Sequence, residues 1–338
     1  MRVLVTGGAG YIGSHAAKAL AGAGHEPVVL DSLRTGHRWA VKWGPFVHGD
    51  IRDTQLVAET LRTHRIDTVM HFAALADVPT AVARPDVCWS INVGGMMSLL
   101  DAMRLADVER IVFSSTCATY GMPAEMPLTE TTPQNPINPY GHSKLVCETI
   151  LADYAATFGL GAIALRYFNV AGADGDGEIG EEHDPETHLI PVVLEAAAGA
   201  REAIAVNGED YDTPDGTCVR DYVHVCDLAR AHLLAMDRIV PGTRKAFNLG
   251  TGHGFTVREV IEAAERVTGR PIAVKGGPRR QGDAPRLTAD AGAARAELGW
   301  EPKESTMARM IETAWAWMSE HRTAVRLASV LDRAAGGR

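Results

Sequence analysis

The chain has 338 residues, too long for one minimal domain and enough for a large α/β unit or for two lobes sharing a face. Hydrophobic residues make up 46% and charged residues 22%, which excludes a disordered or fibrous protein. A formal charge of -9 leaves no global positive field to hold a nucleic acid, although local arginines remain available to small anions.

The N-terminus, MRVLVTGGAG, enters a Val/Leu run with no basic segment and no cleavage site, so no signal peptide is expected. Short β-branched runs at 3–5, 28–30, 46–47 and 68–72 alternate with helical patterns at 12–23 and 55–63. A helix over 87–105, a strand over 111–113, a helix over 140–158 and a strand over 163–167 continue the alternation. Such βαβ units feed a parallel sheet covered on both faces, and about seven strands are expected in one doubly wound α/β sheet.

After Asn169 the pattern changes to a Gly/Asp/Glu-rich loop over 172–184, a helix from Leu189, a strand over 203–206 and a polar loop over 208–217. A helix over 227–236, a strand over 247–249 and a helix over 257–267 follow. The expected organisation is a nucleotide-binding domain over 1–170, with later segments (225–255) packing back on it, and a smaller C-terminal α/β substrate lobe over 171–330. The last few residues of the tail over 322–338 are expected to fray. No apolar run reaches the roughly 18 residues of a membrane span. Cys88, Cys117, Cys147, Cys218 and Cys226 are scattered without a C-x-x-C pair, which reads as reduced thiols in a cytoplasmic protein.

Gly7, Gly10 and Gly13 follow the first strand and open the first helix, and Gly8-x-Gly10-x-x-Gly13 satisfies the dinucleotide fingerprint. Glycines there let the backbone approach a pyrophosphate seated on the helix N-terminus. Asp31 ends the second strand, where a carboxylate accepts hydrogen bonds from a ribose and repels a 2′-phosphate; NAD is therefore expected over NADP. Downstream, Tyr140-Gly-His-Ser-Lys144 places a phenol and an ammonium on one helix face, near Ser115-Thr116 at a strand end. To act as a base at neutral pH the phenol must fall from about 10 to roughly 7, which takes about 4 kcal/mol of phenolate stabilisation. The ammonium and an oxidised nicotinamide are the expected sources.

Together with Arg166-Tyr-Phe-Asn169 and Gly216-Thr-Cys-Val-Arg-Asp-Tyr-Val-His224, these motifs resemble the extended short-chain dehydrogenase/reductase family over most of residues 1–300, and within it the nucleotide-sugar 4-epimerases. The resemblance implies a Rossmann fold and C4 inversion of UDP-glucose and UDP-galactose through a 4-keto sugar, with Tyr140, Lys144 and Thr116 catalytic. It implies NAD contacts at Gly7, Gly10, Tyr11, Ile12, Gly13, Asp31, Ser32, Asp50, Ile51, Phe72, Ala73, Ala74, Asn92, Ser114, Tyr140, Lys144 and Tyr167. It implies UDP-sugar contacts at Thr116, Asn169, His188, Leu189, Asn207, Arg220, Tyr222, Val257, Arg280, Asp283 and Leu287, and a homodimer formed through the helices over 87–105 and 140–158. The chain departs from the family pattern at Ala76-Asp77, where a Lys is frequent, at Asn207, often aromatic, and at His188, often Asn.

A 4,6-dehydratase would place Asp-Glu after Thr116, where Cys117-Ala118 stands; a dinucleotide-sensing module would not need Tyr140 and Lys144. Epimerases of UDP-N-acetylglucosamine, UDP-pentoses or UDP-uronates remain open on sequence. Asp174-Gly-Asp176-Gly-Glu178 begins like a calcium loop but has Ile179 at the sixth position. His183 and His188, beside Glu181, Glu182, Asp184 and Glu186, lack the helical zinc spacing, so no metal is expected.

Overall fold

The computed structural model describes residues 1–280 and 283–335. The fraying expected at the extreme C-terminus concerns residues 336–338, which lie outside the described residues.

From the N-terminus, β1 (Arg2–Thr6), α1 (Tyr11–Gly22), β2 (Glu26–Asp31), β3 (Phe46–His48), α2 (Thr54–Thr63) and β4 (Thr68–His71) alternate as the patterning requires. Next come α3 (Val78–Ala83), α4 (Pro85–Trp89), α5 (Gly95–Leu105), β5 (Arg110–Thr116), α6 (Pro139–Phe158) and β6 (Gly161–Tyr167). The later chain forms β7 (Asn169–Ala171), α7 (Leu189–Ala197), β8 (Ile204–Asn207), β9 (Val219–His224), α8 (Val225–Asp237) and β10 (Arg244–Leu249). It closes with β11 (Gly254–Thr256), α9 (Val257–Thr268), β12 (Val274–Gly277), β13 (Arg286–Leu287) and α10 (Met307–Ala335).

Seven parallel strands make one sheet in the order β10-β6-β5-β4-β1-β2-β3. Its strands are apolar on both faces because both faces are covered. Leu4 packs into one layer with Leu99, Ile111 and Leu151, while its neighbours Val3 and Val5 pack into the other with Leu20, Val112 and Leu228. Burying each such side chain stabilises the fold by about 1.5–3 kcal/mol, before the entropy of ordering it is subtracted. The chain runs outward from β1 to β2 and β3, then returns to place β4 on the other side of β1. That reversal opens a crevice at the carboxyl ends of β1 and β4, the usual ligand position in a doubly wound sheet.

Two details differ from the expected elements. The helix expected over 87–105 is interrupted by a wider π-helical turn, Ser90–Gly94, between α4 and α5. The second lobe holds more strands than periodicity suggests: β7, β9, β11 and β13 form a small sheet, and β8 pairs with β12. These strands are short, and β9 carries Arg220 and Asp221 among its apolar residues, which breaks the apolar signal. Helices α7, α9 and α10 pack around Ile190, Val193, Val260, Ile261, Met310 and Ile311 to form the lobe's core.

Candidate active site

The turn after β1 is built from backbone. Gly7 has a φ of 73° and donates its N–H to the Leu30 carbonyl at 2.9 Å. A Cβ on Gly7 would lie 2.6 Å from Ala73 N, and one on Gly13 would lie 2.2 Å from the Gly7 carbonyl oxygen. Both neighbours are backbone and cannot yield cheaply. α1 then starts at Gly10 without a side-chain cap, whereas α2, α3, α6 and α9 are capped by Asp53, Asp77, Asn138 and Thr256. Its first N–H groups and its dipole thus remain available to an anion. Asp31, 8% exposed at the end of β2, accepts from Ala9 N at 3.0 Å and from Leu33 N at 2.8 Å, so it braces the glycine turn from the ribose side. Glycine cradle, uncapped helix and strand-end carboxylate together fit a dinucleotide.

The other residues expected along the cofactor divide between lining and bracing. The Tyr11 phenol donates to the Gly172 carbonyl at 2.6 Å and so ties α1 to the loop beyond β7. Ile12 and Phe72 pack on the core under the turn, and Ile51 is buried, while Ser32 is exposed. The Asp50 carboxylate is held by Arg52 at 2.6 Å, which keeps it below the usual carboxylate range. Ala73 presents its backbone to Gly7, followed by half-buried Ala74. Asn92, buried on the π-helical turn, accepts from Leu75 N at 2.7 Å and donates to Leu75 O at 3.1 Å and Ser143 Oγ at 2.8 Å. Its amide clamps the segment after β4 onto α6.

Tyr140 and Lys144 stand on the first turns of α6, which Asn138 caps by accepting from Gly141 N at 2.9 Å. The Lys144 ammonium donates to the Ser114 carbonyl at 2.8 Å and lies 5.9 Å from the Tyr140 ring centroid. Burial lowers Lys144 to about 8, which leaves it cationic at neutral pH. Burial pushes the Tyr140 phenol well up; Tyr167 adds to that rise, and a hydrogen bond from Thr116 opposes it. The lysine is aimed at the end of β5, with its charge near the Tyr140 ring. A lower value needs more positive charge beside the ring, as an oxidised nicotinamide carries. Ser114 also bonds to Tyr167, whose phenol burial raises to about 12.

On the second lobe, Arg220 in β9 donates to Val219 O at 2.9 Å and Ala284 O at 2.8 Å, and its free end lies 3.7 Å from Asp283. The Asn207 amide, oriented to accept, takes bonds from Arg280 Nε at 3.0 Å and Nη2 at 3.1 Å. Asn207 is thus seated to hold an arginine, which suits an amide and not the aromatic ring frequent there. Leu287 pairs with Arg220 across β13 and β9 and packs with Cys117 against Tyr120, Leu128, Phe168 and Ala289. Asn169 pairs with Tyr222 across β7 and β9; Tyr222 itself is buried in the lobe's core and supports Asn169 from behind. Val257 opens α9 and donates its N–H to Thr217 Oγ1 at 3.0 Å. Leu189 opens α7 after His188, another helix start without a side-chain cap.

Residues 3–250 match the profile of the NAD dependent epimerase/dehydratase family. The chain belongs to that family. It is 51% identical over 322 residues to the UDP-glucose 4-epimerase of Streptomyces lividans, covering 95% of this chain and 97% of that one. Among solved structures, the UDP-glucose 4-epimerase of Brucella ovis in complex with NAD superposes with a TM-score of 0.90 at 52% identity, over 93% of this chain and 97% of that chain. The Bifidobacterium longum UDP-glucose 4-epimerase in complex with NAD+ and UDP superposes with a TM-score of 0.91 at 39% identity, over 95% and 98% of the two chains.

Behind this epimerase/dehydratase site lies a buried ionic network that the sequence reading left without a role. Glu148, buried on α6, accepts from Ser115 Oγ at 2.6 Å and from Arg166 Nη2 at 2.6 Å and is paired with Arg244. Arg166 also donates to the Tyr120 phenol at 2.9 Å and to Gln134 at 3.0 Å. The signal was present: Tyr140, Lys144 and Glu148 recur every fourth residue, so all three share the face of α6 that meets β5. The acidic stretch Asp174-Asp176-Glu178 closes around Lys18, whose ammonium lies 2.8, 2.7 and 2.7 Å from the three carboxylates. The fold also gathers Glu181, His183, Glu186 and His188, a grouping hidden from helical spacing because an irregular loop supplies it.

Proposed function

We propose that this protein interconverts UDP-glucose and UDP-galactose by inverting C4, with NAD retained throughout. The observation that carries the reading is the convergence of Tyr140, Thr116 and Lys144 at the junction of β5 and α6, with Cys117-Ala118 following where a dehydratase needs an acid pair. Burial pushes the Cys117 thiol up to about 12, so it stays protonated and offers no base for eliminating water.

Bound NAD would supply a reversible two-electron acceptor for C4. Gly7, Gly10 and Gly13 with the N-terminus of α1 would hold its pyrophosphate, and Asp31 would take the adenosine ribose. Tyr140 removes the 4-hydroxyl proton as the carbonyl forms and gives it back after the 4-keto sugar has turned over. Thr116 holds the 4-hydroxyl against the phenol, and Lys144 keeps a positive charge near it. Arg220 and Arg280 pair with the diphosphate while Asp283 accepts from the uridine ribose, so the nucleotide stays fixed as the sugar swings. General-base transfer of this kind contributes about 10²–10⁴-fold.

The test is to incubate the purified protein with UDP-galactose and follow the sugar by NMR. UDP-glucose forming to equilibrium, without net release of reduced cofactor, is the expected result; a 4-keto-6-deoxy product or stoichiometric reduced NAD overturns the proposal. A homodimer accords with the apolar residues exposed on the α3–α6 layer, Val82, Trp89, Met97, Leu105 and Phe158. Five free thiols accord with a cytoplasmic setting.

A further inference from the structure

The loop that connects β7 to α7 holds two clusters of metal-ligating groups among the described residues. The first, Asp174, Asp176 and Glu178, already has its cation in the Lys18 ammonium. The second, Glu181, His183, Glu186 and His188, has no lysine or arginine bonded into it among the described residues. Its donor atoms all lie within 4.8 Å of one another.

The spacing of those donors is informative. His188 Nδ1 lies 3.1 Å from Glu181 Oε1 and 2.9 Å from Glu186 Oε1, and His183 Nδ1 lies 3.4 Å and 3.5 Å from oxygens of the same two carboxylates. Ligands at about 2.0–2.1 Å from a tetrahedral zinc ion are separated by about 3.3–3.5 Å, which the His183 distances match; the His188 distances are shorter and would have to open, with Glu186 offering a different oxygen to each ring. His183 Nδ1 is buried yet makes no hydrogen bond, although it sits between the two carboxylates. The two imidazole rings are 4.9 Å apart, an arrangement that opposes charging both at once. Both carboxylates are nearly buried, at 8% and 7% side-chain exposure, whereas His188 at 52% leaves a path for an ion to enter.

We propose that Glu181, His183, Glu186 and His188 form a structural site for one divalent transition-metal ion of the zinc class. Two imidazoles and two carboxylates favour zinc over calcium or magnesium, which prefer all-oxygen shells. Both imidazoles must be neutral to bind the ion, so any proton that they hold leaves as it enters, and the two carboxylates remain ionised. Metal and proton compete for the imidazole nitrogens, so affinity rises with pH. The ion would fasten the loop over 181–188 to the start of α7, since His188 immediately precedes Leu189. It would also lie near Tyr11, whose phenol feels both Glu181 and Glu186. Its role is positional, in joining the substrate lobe to the cofactor turn.

The test uses the NAD-loaded enzyme, stripped with a chelator, kept reduced and titrated with zinc chloride by calorimetry in buffers of different ionisation enthalpy. One ion per chain with proton release is expected, along with a raised melting midpoint, and magnesium chloride should produce neither effect. His183→Ala and Glu186→Gln should each weaken zinc binding at least tenfold while far-UV circular dichroism and bound NAD are retained. Cobalt substitution of the unaltered enzyme gives a check independent of the variants: intense tetrahedral visible bands without thiolate charge-transfer absorption. Absence of a stoichiometric zinc site, an isotherm unchanged in both variants, or thiolate absorption with cobalt overturns the proposal.

Discussion

The two halves of the site are held by different means. On the nucleotide side the ligand surface is backbone: Gly7 and Gly13 leave no room for a Cβ, and α1 begins uncapped under a sheet packed on both faces. On the proposed substrate side it is made of long side chains, with Arg220 on β9 bonded to two carbonyls and Arg280, beyond β12, resting on Asn207. The first arrangement fails sharply when altered because nothing around it can move. The second degrades by increments and can be retuned, which suits the part of a fold that chooses its ligand.

Gly13→Ala should break the first half most severely. The added Cβ meets the Gly7 carbonyl at 2.2 Å, so the turn must open, and the purified variant is expected to lose its bound NAD and nearly all activity. Full NAD content by absorbance after denaturation would contradict the account of the cradle. Tyr140→Phe comes next: turnover should fall at least about 100-fold with UDP affinity unchanged, because only the transferable proton is removed. Near-normal turnover would remove Tyr140 from its role.

Acid should weaken both halves, since burial also lowers His224, at the end of β9 in the smaller lobe, to about 4. Burial lowers His15 and His232 to about 4 and His71 to about 3, and all three sit in or against the large sheet. The unfolded chain takes up protons below about 6.5 that the folded chain refuses, so stability is full above that pH and falls as pH drops toward 4. The loss is at most about 3 kcal/mol for each imidazole. A thermal midpoint independent of pH between 7 and 4.5 would show that these rings are not held neutral.

Arg280→Ala should cost about 10- to 100-fold in UDP affinity, the usual worth of a charge-assisted hydrogen bond, and leave NAD content intact. Equal loss of both ligands would mean that the halves are not separable. Leu287→Tyr should produce the smallest and most selective change. The parent is expected to turn over UDP-glucose and UDP-galactose well and their N-acetylated counterparts weakly, and the larger ring should abolish the second activity while sparing the first. A parallel fall in both activities would move Leu287 away from the sugar.

The same contrast governs what could be read from the residues alone. β1, β2 and β5 are continuous apolar runs, and Tyr140 with Lys144 lies one helical turn apart, so the sheet and the placing of this pair on one helix were both legible. β9 was not, because its Asp221 is buried only by virtue of distant partners, Thr251 at 2.8 Å and Ala289 N at 3.1 Å. Asn207 became an arginine seat, and four loop residues became one cluster, through contacts that no local period encodes. A shared helix face also did not reveal that the Lys144 ammonium would bond to the Ser114 carbonyl.

The central claim is that the hydrogen taken from C4 returns to the same carbon of the same sugar while Tyr140 carries the proton. Following UDP-galactose deuterated at C4 in ordinary water tests it directly. The account predicts UDP-glucose that keeps its deuterium at C4, with no crossover when unlabelled sugar carrying a different isotopic tag is converted in the same tube. Deuterium lost to solvent, or exchanged between the two sugars, would contradict it.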